Sequence, residues 1–247
     1  SYTIDSLWID SKISTDGSVS ISETRNFSFS GSYSYAYLEL RKKYFDSIYD
    51  IQVFENDNIY ELADTSGEAY TYTIEEKKRI YRIKWFFEAL DEERIFTVTY
   101  KVDGALRVGQ SDVEFYWPYL YKGRNKKISS VFISQSFDDP IYNEDFWYDV
   151  KGLSKKKFFA QFIDGKLIIE ANNVSKKRKL YVQSIFPRNY LNDVAINNQN
   201  FSLENEIKKV RKREIGVKYG FYIAIVFLLI SIAYTILRYN RYGKAYN

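Results

Sequence analysis

At 247 residues the chain can bury one or two sizeable cores, and 24 Tyr, 18 Phe and 4 Trp favour strands over helices. There is no Cys and no His, which excludes disulfides, thiolate metal sites, a Cys nucleophile and the commonest general base. The net charge of +4 is unevenly placed: nine of the 36 basic residues but only three of the 32 acidic ones lie from Leu203 onward, so the preceding domain is near neutral and lacks the basic patch that nucleic-acid binding requires.

The chain enters a strand-like pattern directly after Ser1 and contains no Met, as expected of a chain whose secretory signal peptide has been removed. Residues 1–30 predict a long hairpin, with Tyr2, Ile4, Leu7, Ile9 and Ile13 leading into the turn pair Asp16-Gly17 and Val19, Ile21, Phe27 and Phe29 returning from it. After Gly31-Ser32 the alternation resumes at Tyr33–Leu40. It continues in short runs at Ile48–Phe54, Asn58–Leu62, Tyr70–Ile74, Ile80–Phe87, Ile95–Val102 and Val113–Trp117. Later runs are Ser130–Phe137, Phe146–Val150, Phe158–Ile163, Lys166–Glu170 and Leu180–Phe186, and Asp-Gly or Asn-rich turns separate many of them. Glu75–Arg79 reads as a solvated turn. Strands about ten residues apart with no amphipathic helix between them predict a mainly β, antiparallel sandwich.

About fourteen runs exceed one ordinary sandwich, so two β modules are predicted, residues 1–125 and 126–192, joined at the polar segment Lys122–Lys127. Asn192–Asn200 reads as a linker within the segment 193–218, where Ser202 caps a helix with Leu203, Ile207, Val210 and Val217 on one face. That helix runs into Tyr219–Leu237, nineteen uncharged residues closed by Lys218 and Arg238. At about 1.5 Å per residue they cover roughly 28 Å, the hydrocarbon thickness of a bilayer, and predict a transmembrane helix followed by a short basic stub, 238–247. Lys218, Tyr219, Tyr222, Tyr234, Arg238, Tyr239 and Arg241 are placed for the membrane interface.

The order Tyr2-x-Ile4, Asp16-Gly17-Ser18-Val19-x-Ile21-x-Glu23 and Phe27-x-Phe29-x-Gly31 resembles the opening of the predicted membrane proteins of bacteria and archaea grouped as domain of unknown function 2207. Phe96–Val102 followed by Asp112–Trp117, then Ser184–Pro187 and Arg238–Lys244, are similar to later segments of that family, so the resemblance covers nearly the whole chain. It implies an outward-facing domain after a signal peptide, anchored by a first span, and supplies no mechanism. Six basic residues before the span against three after it would, by the positive-inside rule alone, put the large domain in the cytoplasm. A large domain translocated behind an N-terminal signal escapes that rule, so the expected location is the plasma membrane, with the β domain extracytoplasmic and the C-terminus cytoplasmic.

The small residues Gly216, Gly220 and Ala224 form a line along the helix that would let a second helix approach closely. Asp138, Asp139, Glu144 and Asp145 place four carboxylates in one loop as a weak Ca²⁺ candidate, although their spacing fits no standard loop and a charged solvated turn is far commoner. Tyr33, Tyr35, Tyr37, Trp117, Tyr119 and Tyr121 are candidate interface aromatics, for another protein or for a glycan. No phosphate-cradling loop or nucleophile elbow is present, so neither a catalytic residue nor a cofactor is assigned. The expected function is a membrane-anchored surface scaffold or accessory subunit acting through protein contacts. Its partners are the bilayer and other membrane or surface proteins, a second copy included, but no nucleic acid. The competing readings are a glycan or envelope-polymer sensor and, more weakly, an envelope hydrolase using two carboxylates.

Overall fold

The computed structural model describes residues 1–242 except Ser66 and Gly123, and leaves out the side chains of 213–224 and 240–242. Two compact units emerge, Ser1–Phe201 and the segment from Ser202 onward.

The first unit is built of strands β1 (Tyr2–Ile13), β2 (Val19–Phe29), β3 (Ser32–Arg41), β4 (Ser47–Glu55), β5 (Asn58–Ile59), β6 (Glu61–Leu62), β7 (Thr71–Glu76) and β8 (Ile80–Leu90). They are followed by β9 (Glu93–Asp103), β10 (Leu106–Val108), β11 (Asp112–Leu120), β12 (Ile128–Phe137), β13 (Trp147–Lys151), β14 (Phe158–Ile163), β15 (Lys166–Val174) and β16 (Leu180–Pro187). An eight-stranded sheet has the order β14-β15-β12-β1-β2-β9-β4-β5. Two four-stranded sheets have the orders β10-β11-β16-β13 and β3-β8-β7-β6.

The predicted hairpin is β1–β2, turned where Gly17 takes φ 86° and the Ser18 N–H donates to Asp16 Oδ1 at 2.9 Å. Both small sheets pack on one face of the large one. Phe29 meets Phe87 with ring centroids 5.4 Å apart and Phe96 meets Phe87 at 4.6 Å, joining β2 and β9 to β8. Phe137 meets Phe186 at 5.3 Å, and the Ser11 and Tyr119 hydroxyls share a hydrogen bond of 2.8 Å, joining β12 to β16 and β1 to β11. The other face of the large sheet is exposed and carries Trp8 stacked on Phe132 at 5.8 Å.

Three expectations are corrected here. The boundary at 125/126 does not divide the body, because β1 pairs in parallel with β12 from Ile4 opposite Ile128 to Ile13 opposite Phe137, and one core joins residues from both sides. A strand has two edges, and a hairpin pattern reveals the partner on only one of them. With β6–β7 also parallel, the sheets are mixed rather than purely antiparallel. The segment read as a linker belongs to the body as well. Asn197 accepts from the Val108 N–H at 2.8 Å and donates to the Leu106 carbonyl at 2.9 Å, Asn192 donates to Thr15, and Phe201 is buried under the Arg107 guanidinium.

The second unit is helix α1 (Leu203–Tyr242), 40 residues or about 60 Å long. Ser202 caps it as predicted, its Oγ accepting from the Asn205 N–H at 3.3 Å, and Glu204–Lys208 and Glu206–Lys209 pair along the first turns. Among the described residues no helical stretch is long and apolar enough to cross a membrane. The predicted span lies in part outside them: side chains are described from Ile225, and those through Tyr239 are exposed.

Phe96 is fully buried and touches Phe27, Tyr60, Trp85 and Phe87. Phe96→Ala is expected to lower stability by about 3–5 kcal/mol, read from urea unfolding of the detergent-solubilised chain by tryptophan fluorescence.

Candidate ligand-binding cleft

The two small sheets do not meet along their whole length, and the gap between them is a cleft of about 660 Å³. One wall is β3, the other the segment from Pro118 to Lys126 that joins β11 to β12, and the floor is the inward face of β1 and β2. The alternation of β2 turns Val19, Ile21, Glu23, Arg25, Phe27 and Phe29 to that face, so two charged residues interrupt an apolar row. Glu23 is 4% exposed and accepts from the Tyr100 hydroxyl and from Arg25 Nη2, both at 2.8 Å. Burial, and then the Glu23 charge, push the Tyr100 phenol well above its ordinary value. A buried pair of this kind gains little net stability, because desolvation offsets much of the attraction.

Cations outnumber anions around the cleft. Arg124 donates only to main-chain carbonyls, those of Tyr121 at 2.6 Å, Arg178 at 2.8 Å, Ser175 at 2.9 Å and Val174 at 3.5 Å. Burial and the neighbouring Arg25 charge lower its pKa to about 10. Arg41 lies 4.5 Å above the Tyr121 ring and Lys126 5.1 Å above Tyr2. The two lining carboxylates are engaged, Glu23 by Arg25 and Glu39 by Arg82 at 2.6 Å. Arg41, Lys122, Arg124 and Lys126 have no carboxylate within ion-pair distance among the described residues.

Beyond Arg41 the chain turns through Lys42–Tyr44 and brings Tyr44 against the strands β11 and β16. Tyr44, Tyr116, Tyr121 and Tyr181 form a cluster with centroids 5.7 Å apart for Tyr116–Tyr181 and 6.4 Å for Tyr44–Tyr121. Each ring carries a cation: Lys43 on Tyr44, Lys151 on Tyr116, Arg41 on Tyr121 and Lys179 on Tyr181. Burial pushes the Tyr116 phenol up to about 12.

Of the aromatic candidates, Tyr33, Tyr35, Tyr37, Tyr119 and Tyr121 line this one cleft. Tyr35 and Tyr37 are exposed at its rim, and Asn125 donates to the Tyr37 hydroxyl at 3.3 Å. Tyr119 is deeper, its hydroxyl held by Ser11 and by Gln135 at 2.9 Å. Trp117 is corrected: it is 2% exposed, packs on Phe115 at 5.6 Å and Phe45 at 6.0 Å, and presents no surface. The sequence reading missed Tyr44, Tyr116 and Tyr181, whose only signal was a Tyr on each of three separate segments. The carboxylate loop does not converge, and among the described residues no group of three acids is placed to hold a metal. Asp138 pairs instead with Lys12 at 2.8 Å, which draws its carboxyl below the usual range, while the Asp138 and Asp139 N–H groups donate to the Tyr190 hydroxyl. Gly216, Gly220, Ala224, Lys218, Tyr219, Tyr222 and Arg241 lie outside the described side chains; Tyr234 and Tyr239 are exposed on α1, which also carries Arg238.

The sequence matches the family model described as "Predicted membrane protein (DUF2207) N-terminal domain" over residues 3–186. The chain belongs to this family. No curated protein sequence matches it. Among solved structures it is similar to an M1 zinc metallopeptidase from Deinococcus radiodurans, at 10% identity and a TM-score of 0.40, covering 73% of this chain and 42% of that one. It is also similar to a Parabacteroides distasonis protein provisionally assigned as a protease, at 9% identity, TM-score 0.43, 74% of this chain and 40% of that one. A Legionella pneumophila protein provisionally assigned as nutrient binding gives 10% identity, TM-score 0.46, 75% of this chain and 67% of that one. The chain thus spans about two fifths of the first two, and likenesses at these scores carry no argument about its activity.

Tyr119→Phe leaves Ser11 and Gln135 without their shared partner in the core and is expected to cost about 1–3 kcal/mol in the same urea assay. Tyr60, Tyr100, Tyr116, Tyr119 and Tyr121 all hold their protons above the ordinary 10.0, burial being the first cause of each. Above pH 10 the unfolded chain releases these protons while the folded chain keeps them, so stability falls as pH rises. Arg124 acts with the opposite sign but is outnumbered. Phenolate absorbance is expected to show these five tyrosines ionising only as the chain unfolds.

Proposed function

We propose that the chain is a membrane-anchored, extracytoplasmic recognition protein that binds another protein non-covalently in the cleft between β3 and Pro118–Lys126, as a scaffold or accessory subunit. The observation that carries this reading is the cleft itself, where four cations without carboxylate partners stand beside exposed tyrosines. Uncompensated charge inside a concave, aromatic-lined surface favours a complementary partner, and Tyr and Arg are residue types on which interfaces commonly depend. Membership of a predicted membrane protein family and the uncharged stretch Tyr219–Leu237 support the anchor. The lipid-facing stretch and the outward orientation are read from the sequence and the family.

Two measurements test this. The chain is expected to stay with the membrane through alkaline carbonate washing, with residues 1–201 cleaved by an external protease in intact cells; release by carbonate, or protection in cells with cleavage in inverted vesicles, contradicts the anchor or its orientation. A photo-cross-linking amino acid at Tyr35 is expected to give a protein adduct that the same group at Phe159, exposed on β14, does not give. That adduct should disappear in the Arg41→Glu, Lys126→Glu double variant. Equal adducts at both positions, or none at Tyr35, contradict binding in the cleft.

A further inference from the structure

Strand β3 ends its sheet, pairing with β8 on one side only. The direction of its unpaired groups follows from its neighbours. The Tyr70 N–H donates to the Phe86 carbonyl at 2.9 Å, so the main-chain groups of Phe86 face β7; Tyr35, opposite Phe86, therefore turns its own N–H and C=O away from β8. By alternation Tyr37, Glu39 and Arg41 do the same. Two contacts agree with this phase. Arg25 Nη1 reaches the Tyr37 carbonyl from the cleft floor at 3.4 Å, whereas Lys42, one position out of phase, donates to the Arg79 carbonyl at 3.1 Å, at the foot of β8.

The open edge is therefore the wall of the cleft. Its far end meets the Tyr121 ring, with the Arg41 guanidinium 4.5 Å from the ring centroid. Among the described residues the main-chain groups of Tyr35 and Glu39 and the Tyr37 N–H have no partner, over about 14 Å of strand. Exposed edges invite pairing and are usually blunted by Lys or Pro. Between Ser32 and Leu40, β3 has neither, only an irregularity at Tyr33/Tyr35. Arg41, Lys122, Arg124 and Lys126 stand around the same edge without carboxylates.

We propose that an extended acidic segment of a partner protein adds to β3 as a further strand, its main chain pairing with Tyr35, Tyr37 and Glu39 and its carboxylates facing Arg41 and Lys126. Strand addition supplies both donors and acceptors in a line, which matches an edge offering both. An anionic polysaccharide would answer the cations but offers no regular row of groups for the edge. The proposal rests on reading the cleft as a protein-binding site and adds the conformation and charge of what enters it.

The test uses the full chain in phosphatidylcholine nanodiscs and a fluorescent nine-residue peptide alternating Glu and Thr, followed by anisotropy. Binding is expected. It should weaken at least tenfold when the five central peptide amides are N-methylated, at least tenfold when Lys replaces Glu, and at least tenfold in Tyr35→Pro. That variant removes one cleft-facing N–H but leaves the β8 ladder intact, so its melting temperature should stay near that of the parent. Absence of peptide binding overturns the proposal, as does equal binding of the N-methylated or Lys peptide. Displacement of the peptide by polygalacturonate at equal charge concentration assigns the cleft to a polymer instead. A photo-adduct at Tyr35 together with indifference to N-methylation leaves the protein-binding reading standing and removes strand addition alone.

Discussion

Strand β1 lies between β2 and β12, and the body depends on that double pairing. Its antiparallel side closes a local hairpin, with Tyr2 opposite Phe29 and Ile13 opposite Val19. Its parallel side reaches over a hundred residues along the chain to β12. A parallel neighbour needs a long connection, and here the whole of β2 to β11 supplies it. Because β1 satisfies hydrogen bonds on both edges, the two halves of the body share one eight-stranded sheet and cannot separate as modules.

The cleft is a consequence of that sheet. One wide layer is covered by two narrow ones, and the floor strands β1 and β2 run beneath the seam between them. Where the seam closes, an aromatic ring fills it: Phe45 meets Tyr81 of β8 at 5.9 Å and Trp117 of β11 at 6.0 Å. Where it opens, Glu23 and Arg25 replace apolar residues on β2, and Tyr100 reaches across from β9 to hold the carboxylate. Glu23 is nearly buried there, so Arg25 and Tyr100 must hold its carboxylate, since an unpaired charge would cost several kcal/mol.

Tyrosine suits this seam because its ring packs while its hydroxyl finds a partner. Tyr119 does so in the core, between Ser11 and Gln135; Tyr37 does so at the rim, with Asn125. The cluster of Tyr44, Tyr116, Tyr121 and Tyr181 lies beyond the end of β3 and is ringed by Lys and Arg, so the basic, aromatic character of the cleft extends past its own walls.

Local patterns in the sequence determined most elements. The Asp16-Gly17 hairpin, the alternating runs from Tyr33 to Phe186 and the Ser202 cap all depend on neighbours a few residues away, which periodicity and turn chemistry record; the turn expected at Glu75–Arg79 is confined to 77–79, Glu75 and Glu76 ending β7. The tyrosine repeat on β3 likewise marked one wall of the cleft. What tertiary structure alone decided was long-range: β1 beside β12, Asn197 bound to β10, Trp117 buried while Tyr35 is exposed, and four tyrosines from separate segments in one cluster. Alternation states which residues share a face but not which strand lies beside it or whether that face is covered. Those depend on how three sheets meet, and no single segment encodes it.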